Sequence, residues 1–439
     1  MIESLVVVGD ASEGSDELVG TSGDDTINGL DGDDDLMGLG GDDTLDGGAG
    51  NDYLTGGAGS DVYLFGRGSG QDMISEFTEA DGGIDTLRFD STVEAADVTV
   101  TRDDDGTLSL SINGTDDRVQ LSYWFSDSTD QFKQVERVEF ADGTVWNTQT
   151  LADMAVLLGT SDQDFLPGSQ GNDMLRGLDG NDILFGGDGS DVLEGGADND
   201  SLSDMAGSSN YFNGGSGNDQ MLSGTGANLF IGGTGNDAIT SDSGPDVIAF
   251  NVGDGQDTLY VNDSQQTLED TISLGGAGLD YANLSLEKNG SDLVLKVSGS
   301  DQLTLTDWYA STPKQNVLNL QVVAEAMAAF DANSSDPLLN KKVQTFDFQG
   351  LVDAFDAART ATPGLSSWAL SNGLTQFYLA GSDSEALGGD LAYHYGADGT
   401  LAGMALGKAQ EVLANAQFGT QAQAIHSTAS LQEGLIRLG

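Results

Sequence analysis

The chain contains no cysteine, which excludes disulfides and thiolate chemistry as sources of stability or catalysis. Bases are scarce: 15 Lys and Arg stand against 72 Asp and Glu in 439 residues, a net charge of −57. Such a chain repels nucleic acid and anionic membrane surfaces. No apolar run approaches the ~18–20 residues that a membrane-spanning helix needs, so no transmembrane segment is expected. Only two histidines occur, His394 and His426; neither sits in a metal or catalytic pattern, and both read as incidental. HExxH, GxSxG and Walker patterns are missing too, and the chain is not expected to be an enzyme. The first residues, MIESLVVVGD, carry no basic leader and no small-residue cleavage site, so they do not read as a secretory signal peptide. Their closeness to a repeat array suggests the cut end of a longer protein.

What is abundant is acid and glycine, with 63 glycines. Either the acids meet cations or much of the chain is disordered. The order of the residues decides between the two. Residues 38–64 read GLGGDDTLD GGAGNDYLT GGAGSDVYL. Each nonapeptide opens with glycine, repeats glycine at its fourth place, and has aspartate at the sixth and an apolar residue at the eighth.

The first array holds sixth-place Asp16, Asp25, Asp34, Asp43, Asp52 and Asp61, and eighth-place Leu18, Ile27, Leu36, Leu45, Leu54 and Tyr63. It closes two residues out of register with GSGQDMI, which contains Asp72. A second array over about residues 159–250 holds Asp164, Asp173, Asp182, Asp191 and Asp200. After a one-residue insertion it continues with Asn210, Asp219, Asn228, Asp237 and Asp246, then closes with GDGQDTL, which contains Asp257. Short alternating strands with hairpin signals follow each closure, DTLRF to RVQLSYWF in one case and DTISL to QLTLTDWY in the other. The chain is therefore two copies of one unit, an array and then a β cap.

The boundaries expected are 1–77 and 159–260 for the arrays, 78–158 and 261–334 for the caps, and 335–439 for a C-terminal region. LADMAVLL is read as a brief helix, VVAEAMAAF as a helix, and LVDAFDAARTA and GKAQEVLANAQ as helical in spacing. Trp124, Phe125, Trp308 and Tyr309 are expected to plug the ends of the arrays or fill the caps, with a sugar-binding face as the alternative.

Burying one large side chain per nine residues does not offset the conformational entropy of ordering them, glycines above all. Stacking one aspartate above another adds repulsion. A hard cation reverses the balance, because calcium takes six to eight oxygens from carboxylates and backbone carbonyls. Glycines can turn carbonyls inward, and the three residues after each aspartate suffice for a short strand. Two repeats then make one coil, and an ion between successive coils touches both.

GGAGNDYLT, GGAGSDVYL, GGDGSDVLE and GGTGNDAIT resemble the GGxGxDxUx repeat of the RTX (repeats-in-toxin) family, a calcium β-helix repeat. The likeness covers about 160 residues in the two arrays. It implies an all-β parallel β-roll, a β-solenoid with calcium between stacked turns, each array followed by a small β capping module, with a small mainly helical or mixed C-terminal region. Carried onto this chain, the metal ligands are Asp25, Asp34, Asp43, Asp52, Asp61, Asp173, Asp182, Asp191, Asp200, Asp219, Asp237 and Asp246. Asp72 and Asp257 join them at the closures, and Asp16 and Asp164 as half-sites in degenerate first turns. The glycines expected to orient carbonyls are Gly23, Gly32, Gly41, Gly48, Gly50, Gly57 and Gly59. In the second array they are Gly171, Gly180, Gly187, Gly189, Gly196, Gly215, Gly217, Gly233 and Gly235. Asn210 and Asn228 bring no charge, so their sites should be weak or empty, and DMAGSSNYF (204–212) should bulge.

About a dozen calcium ions would offset roughly 24 of the 57 negative charges. The resemblance also implies one-step type I secretion from Gram-negative bacteria, directed by an uncleaved C-terminal signal for which ALGKAQEVLANAQF to LQEGLIRLG is the candidate. Folding would then follow on meeting extracellular calcium. The function expected is a structural or adhesive module of a surface protein, S-layer or filament that can associate with itself. The alternative is the C-terminal half of a secreted enzyme or toxin whose catalytic domain is not in this chain.

Overall fold

A computed structural model describes residues 11–76, 83–103, 106–125, 135–168, 171–206, 209–262 and 269–401, together with 409, 412–415 and 417–427. Only part of the expected helix in GKAQEVLANAQ is described, helical at Ala409, Val412 and Leu413, and most of the C-terminal signal candidate falls outside these residues. Backbone packing divides the chain into two compact units, between Leu157 and Leu158.

In the first unit each repeat contributes a turn and a short strand, and alternate strands fall on opposite faces of a parallel roll. Glu17–Val19, Asp35–Gly40, Tyr53–Ala58 and Gln71–Ile74 form one sheet. Thr26–Asn28, Thr44–Asp46 and Val62–Phe65 form the other. A three-residue strand points its middle side chain one way and its flanks the other, so only the eighth-place residue enters the roll. Leu18, Ile27, Leu36, Leu45, Leu54 and Tyr63 are all at most 1% exposed.

The cap prolongs both sheets. Gln71–Ile74 pairs in parallel with Arg118–Leu121, which continues antiparallel through Leu108–Ile112 to Val98–Arg102. On the other face Val62–Phe65 pairs with Thr86–Phe89, then Arg137–Glu139 and Val145–Asn147.

The second unit repeats this plan with longer faces. Met174–Asp179, Val192–Ala197, Tyr211–Gly217, Leu229–Gly235 and Val247–Asn251 stack in parallel. Opposite them run Phe165–Pro167, Ile183–Phe185, Ser201–Asp204, Gln220–Ser223 and Ala238–Ser241. The interior is again one side chain deep, with Phe212 and Phe230 stacked at 5.0 Å between centroids. Its cap has the same order: Gln256–Val261 to Asp301–Leu305, Asp292–Ser298 and Ser285–Asn289 on one side. On the other, Val247–Asn251 leads to Asp270–Gly275 and Val317–Val323.

The aromatic segments of the two caps align as Trp124 with Trp308, each buried and each preceded by a residue in left-handed conformation, Tyr123 and Asp307. A cation covers the next ring in both, Arg102 over Phe125 at 4.5 Å and Lys288 over Tyr309 at 4.0 Å. These rings fill the caps.

Helix α1 (Thr148–Met154) starts at Asn147, whose side chain accepts the Thr150 N–H. It is followed by a strand, Val156–Leu158, which takes the rest of the expected helical stretch. The helix expected in VVAEAMAAF is not formed. Its valines belong to Val317–Val323, held between Asp270–Gly275 and Val343–Asp347, and only Ala324–Ala326 makes a single 3-10 turn. Sheet pairing on both sides outweighs the helix propensity of the alanines.

The C-terminal region is mixed rather than mainly helical. Val343–Asp347 and Tyr378–Ser382 extend one sheet of the cap, and Ser367–Ala369 extends the other. Helix α2 (Phe348–Ala361) is capped by Asp347 and buries Phe348, Leu351, Val352 and Phe355, one stripe at helical spacing. Helix α3 (Gly389–Asp398) packs on the outer face of the roll at Val247–Asn251. Tyr395 binds it there, donating its hydroxyl to Asp254 Oδ2 at 3.0 Å while its carbonyl accepts Asn251 Nδ2–H at 2.8 Å. No helix among the described residues is long and apolar enough to cross a membrane.

Candidate metal centre

Each sixth-place aspartate is tied to the aspartate one coil before it. The backbone N–H of Asp25 donates to Asp43 Oδ1 at 2.7 Å, and that of Asp43 to Asp61 Oδ1 at 2.8 Å. On the other edge of the roll Asp16 donates to Asp34, Asp34 to Asp52 and Asp52 to Asp72. In the second unit one edge runs Asp164, Asp182, Asp200, Asp219, Asp237, Asp257 by the same bonds. The other runs Asp173, Asp191, Asn210, Asn228, Asp246, Asp270. Chain order alternates between edges, so repeats 18 residues apart are the spatial neighbours.

With Oδ1 fixed, Oδ2 points into the gap between coils. In Asp34, Asp43, Asp52, Asp72, Asp182, Asp191, Asp200, Asp219, Asp237 and Asp246 this atom is buried and has no hydrogen-bond partner. A buried unpaired carboxylate oxygen is costly unless a proton or cation meets it. The space for a cation lies over the first-place glycine. A methyl group placed on Gly38 would sit 2.2 Å from Asp43 Oδ2 and 2.6 Å from the Gly56 carbonyl oxygen. On Gly177 it would sit 2.3 Å from Asp182 Oδ2 and 2.5 Å from the Gly195 carbonyl oxygen. A carboxylate of one coil and a carbonyl of the next therefore converge on one point, a donor pair suited to a hard cation such as calcium. No three acidic or imidazole side chains gather around a point among the described residues, so the remaining donors have to be backbone carbonyls.

The turns need glycine for a second reason. Gly48 and Gly50 have φ of 97° and 154°, and a Cβ on either would lie within 2 Å of a carbonyl oxygen in the preceding coil. Gly32, Gly41, Gly57, Gly59, Gly180, Gly187, Gly189, Gly196, Gly215, Gly217, Gly233 and Gly235 also have positive φ, whereas Gly23 does not share that conformation. Leu30, Leu39 and Leu178 stand at second-glycine places with φ near 80°, a strained conformation for a residue with a Cβ.

Burial raises the pKa values of seven of these carboxylates: Asp43, Asp52 and Asp237 to about 6, Asp200 and Asp219 to about 7, Asp72 and Asp257 to about 8. The hydrogen bond from the preceding aspartate opposes the rise at Asp43, Asp52, Asp72, Asp200, Asp219 and Asp237, and neighbouring carboxylates add to it at Asp43, Asp52, Asp72, Asp200, Asp219 and Asp257. The ladder holds together groups that resist ionising together.

Several expected ligands are placed differently. Asp25 Oδ2 accepts the Thr21 N–H and hydroxyl, the latter at 2.8 Å; Asp164 Oδ2 is held in the same way by Thr160, and Asp16 Oδ2 by Ser12. In these three turns a hydroxyl residue stands at the second place and satisfies the oxygen that glycine turns leave open. Asp25 thus resembles the half-sites rather than the regular ligands.

Asn228 is self-contained: its Nδ2 donates to Asp246 Oδ1 at 2.9 Å and to the Gly226 carbonyl at 3.1 Å. Asn228 has Ser223 at its first place and Asp246 has Ser241, so a Cβ occupies the position that glycine leaves open. Sequence reasoning passed over Asp85 and Asp270, whose carboxylates end the ladders by accepting from Asp61 and Asp246. The DT pair shared by DTLRF and DTISL was the available signal. It also passed over Glu76, whose carboxylate accepts from Gly56 and Gly57 N–H where the first array leaves register.

The two histidines share one cavity of about 520 Å³ with Glu325, Lys342, Asp383, Tyr393 and Asp398. His394 lies 2.9 Å from Asp398 and 2.7 Å from the His426 carbonyl. The pair joins α3 to the segment after it, a link invisible in two isolated histidines.

The RTX calcium-binding nonapeptide repeat model matches residues 10–45, 37–71, 167–202 and 213–248, and the haemolysin-type calcium-binding protein related domain matches 108–150. No curated protein matches the chain. Among solved structures, the AlgE6R3 subunit of the Azotobacter vinelandii mannuronan C5-epimerase is 28% identical over 29% of this chain and 89% of its own length, at a TM-score of 0.21. The extracellular lipase LipA from Serratia marcescens is 17% identical over 68% of this chain, at a TM-score of 0.22, and the match spans 38% of that lipase. Its matched repeats and its parallel rolls identify the two arrays of the chain as RTX calcium-binding nonapeptide repeats.

Proposed function

We propose that the chain is the calcium-folded part of a type I-secreted extracellular protein, and that it serves as a structural or adhesive module. The observation that carries the calcium reading is the row of buried, partnerless Oδ2 atoms, of which those of Asp34, Asp43, Asp182, Asp200 and Asp219 face a glycine carbonyl of the adjacent coil. Asp34, Asp43, Asp52, Asp61, Asp72, Asp182, Asp191, Asp200, Asp219, Asp237 and Asp257 would hold about a dozen ions with carbonyls from both turns. Calcium, when bound, supplies the positive charge that these carboxylates lack. The Oδ1 bonds hold each carboxylate in register, the glycines bring the carbonyls within reach, and the eighth-place residues exclude water behind them. Because the sites exist only in the coiled chain, binding free energy is folding free energy.

Extracellular calcium modules work at ~10⁻⁴–10⁻³ M, far above cytosolic levels. That difference would keep the chain unfolded during export and fold it outside the cell. The secretion signal is assigned to the residues around 405–439. Removing the last ~60 residues should retain the protein in the cell, and normal export would refute that assignment. Circular dichroism and calorimetry in chelator and in millimolar calcium test the folding switch: a β-rich fold that survives exhaustive chelation sinks it. Sedimentation in calcium separates the two roles. Assembly into polymers supports the structural role, and a compact monomer supports the alternative, the C-terminal half of a secreted enzyme or toxin.

A further inference from the structure

Neither the arrays nor the caps use the two histidines. Helix α3 carries Asp390, His394 and Asp398 at four-residue spacing, one turn apart on one face. Asp390 and His394 are buried, at 5% and 6% exposed. The chain returns along this face as a short strand, Gln423–Ala424, paired antiparallel with Glu385–Ala386. Ile425 follows, donating its N–H to the Ser384 carbonyl. At the next residue α3 holds the backbone from both sides. The His426 N–H donates to Asp390 Oδ1, and the His426 carbonyl oxygen lies 2.7 Å from His394 Nε2. Two side chains one helical turn apart thus grip the donor and the acceptor of a single residue.

The other ring nitrogen of His394, Nδ1, lies 2.9 Å from Asp398 Oδ2. A backbone carbonyl and a carboxylate both accept hydrogen bonds and cannot donate them. Both ring nitrogens therefore face acceptors, and only the imidazolium form carries an N–H on each. A neutral ring would turn a lone pair toward either the His426 carbonyl or Asp398, and one of the two bonds would be lost. The other groups around the ring are engaged with one another. Tyr393 meets it edge-on at 5.0 Å between centroids, and Glu325, Lys342 and Asp383 line the same cavity. Lys342 pairs with Glu325 at 2.9 Å, and Asp383 pairs with Lys341. The His426 ring stands 3.5 Å from Asp390 Oδ2.

We propose that Asp390 and His394 form a proton-dependent clamp on the His426 backbone, closed while His394 is an imidazolium and released when the ring becomes neutral. Closing and protonation favour each other, so the clamp is complete in acid and is lost as pH rises through the range of about 5–8 in which imidazoles titrate. Its sign is opposite to that of the carboxylate ladders in calcium, where protons compete with the ion. The clamp touches only the backbone of residue 426, so it needs no particular side chain there. The segment it holds lies within residues 405–439, but the clamp rests on neither the calcium reading nor the export reading.

Hydrogen exchange read by mass spectrometry tests the clamp on the full chain in millimolar calcium, with rates corrected for the intrinsic effect of pH. Protection of the Ile425 and His426 amides should fall by about tenfold or more between about pH 5.5 and about pH 8, while α3 stays protected. His394→Gln cannot change its charge, and its protection at these amides should be the same at both pH values. His426→Ala keeps the backbone groups that are gripped, and the pH dependence should persist. A pH dependence that survives in His394→Gln, vanishes in His426→Ala or is shared by α3 would overturn the proposal. If His394→Gln does not fold in calcium, nitrogen-15 spectra of the wild-type rings decide, since the chain has only two histidines. Both His394 nitrogens should be protonated in the protected form, and a ring with a single N–H while these amides stay protected overturns the clamp.

Discussion

On one edge of the second roll the sixth-place residues are Asp164, Asp182, Asp200, Asp219 and Asp237, and every first place is glycine. On the opposite edge they are Asp173, Asp191, Asn210, Asn228 and Asp246, and the first places are Gly168, Gly186, Asp204, Ser223 and Ser241. Both edges keep the same backbone ladder, with N–H to Oδ1 distances of 2.8–3.0 Å between the same places. The ladder is therefore indifferent to whether the acceptor is a carboxylate or an amide. The second oxygen is not indifferent. In Asp182, Asp200, Asp219 and Asp237 it is buried without a partner, whereas the Asn228 amide nitrogen there donates two hydrogen bonds. An amide N–H can satisfy locally what the aspartate edge leaves to a cation. One edge carries a carboxylate at every sixth place, and the other has amides at Asn210 and Asn228 between aspartates.

The comparison can be broken most forcefully by removing calcium at different pH values. Burial raises Asp200 and Asp219 to about 7 and Asp257 to about 8, above their unfolded values near 4. The folded state then binds more protons than the unfolded one. Its proton-linked stability is complete below about pH 4 and is lost as pH rises through about 7–8. In chelator, far-ultraviolet circular dichroism should show more β structure at pH 4.5 than at pH 8. In millimolar calcium the order should reverse, because protons compete for the same oxygens. Amide exchange on the partly folded form should release Asp200 and Asp219 before Asn228.

Next in size is Asp219→Ala on the aspartate edge. An ion held at a hundred times its dissociation constant contributes about 2.7 kcal/mol, so unfolding in calcium should show a loss of that order, together with one ion fewer. Without calcium the same change relieves repulsion and should be close to neutral.

Asn228→Asp on the mixed edge should destabilise the roll by about 1–3 kcal/mol, since it loses both amide donors and faces Asp246 across the gap. It should gain no ion, because the Ser223 side chain fills the space over its first place. Asn228→Asp with Ser223→Gly should gain one. A gain by the single substitution would show that first-place glycine is not needed. Smallest is Thr160→Ala at the start of the aspartate edge, expected to cost about 1 kcal/mol by removing the hydroxyl that holds Asp164. That loss should be the same with and without calcium, whereas a calcium-dependent loss would make the first turn a metal site.

The spacing of acids and glycines along the chain foretold the rolls and which apolar residues are buried. Leu36 and Phe212 are interior because the eighth place of a nonapeptide strand always points inward. The same period placed Asp43 and Asp219 at the sixth place of a turn and made them candidate ligands. The threonines at 21 and 160 escaped notice because their bonds to Asp25 and Asp164 are side-chain contacts within a turn, to which a glycine-and-acid pattern is blind. VVAEAMAAF was misread because the strand partners of its valines lie 48 residues before Val322, at Leu274, and some 20 residues after them, at Val343 and Gln344.

Local periodicity alone, then, specified a coil with an inward apolar row and an acidic turn, because those depend only on backbone geometry within nine residues. Which turns face one another was settled by the closed coil, which makes neighbours of residues 18 apart and strangers of adjacent repeats. For that reason only the tertiary structure separated an aspartate edge from a mixed one. A contact between coils depends on the pitch of the roll, which no single repeat encodes.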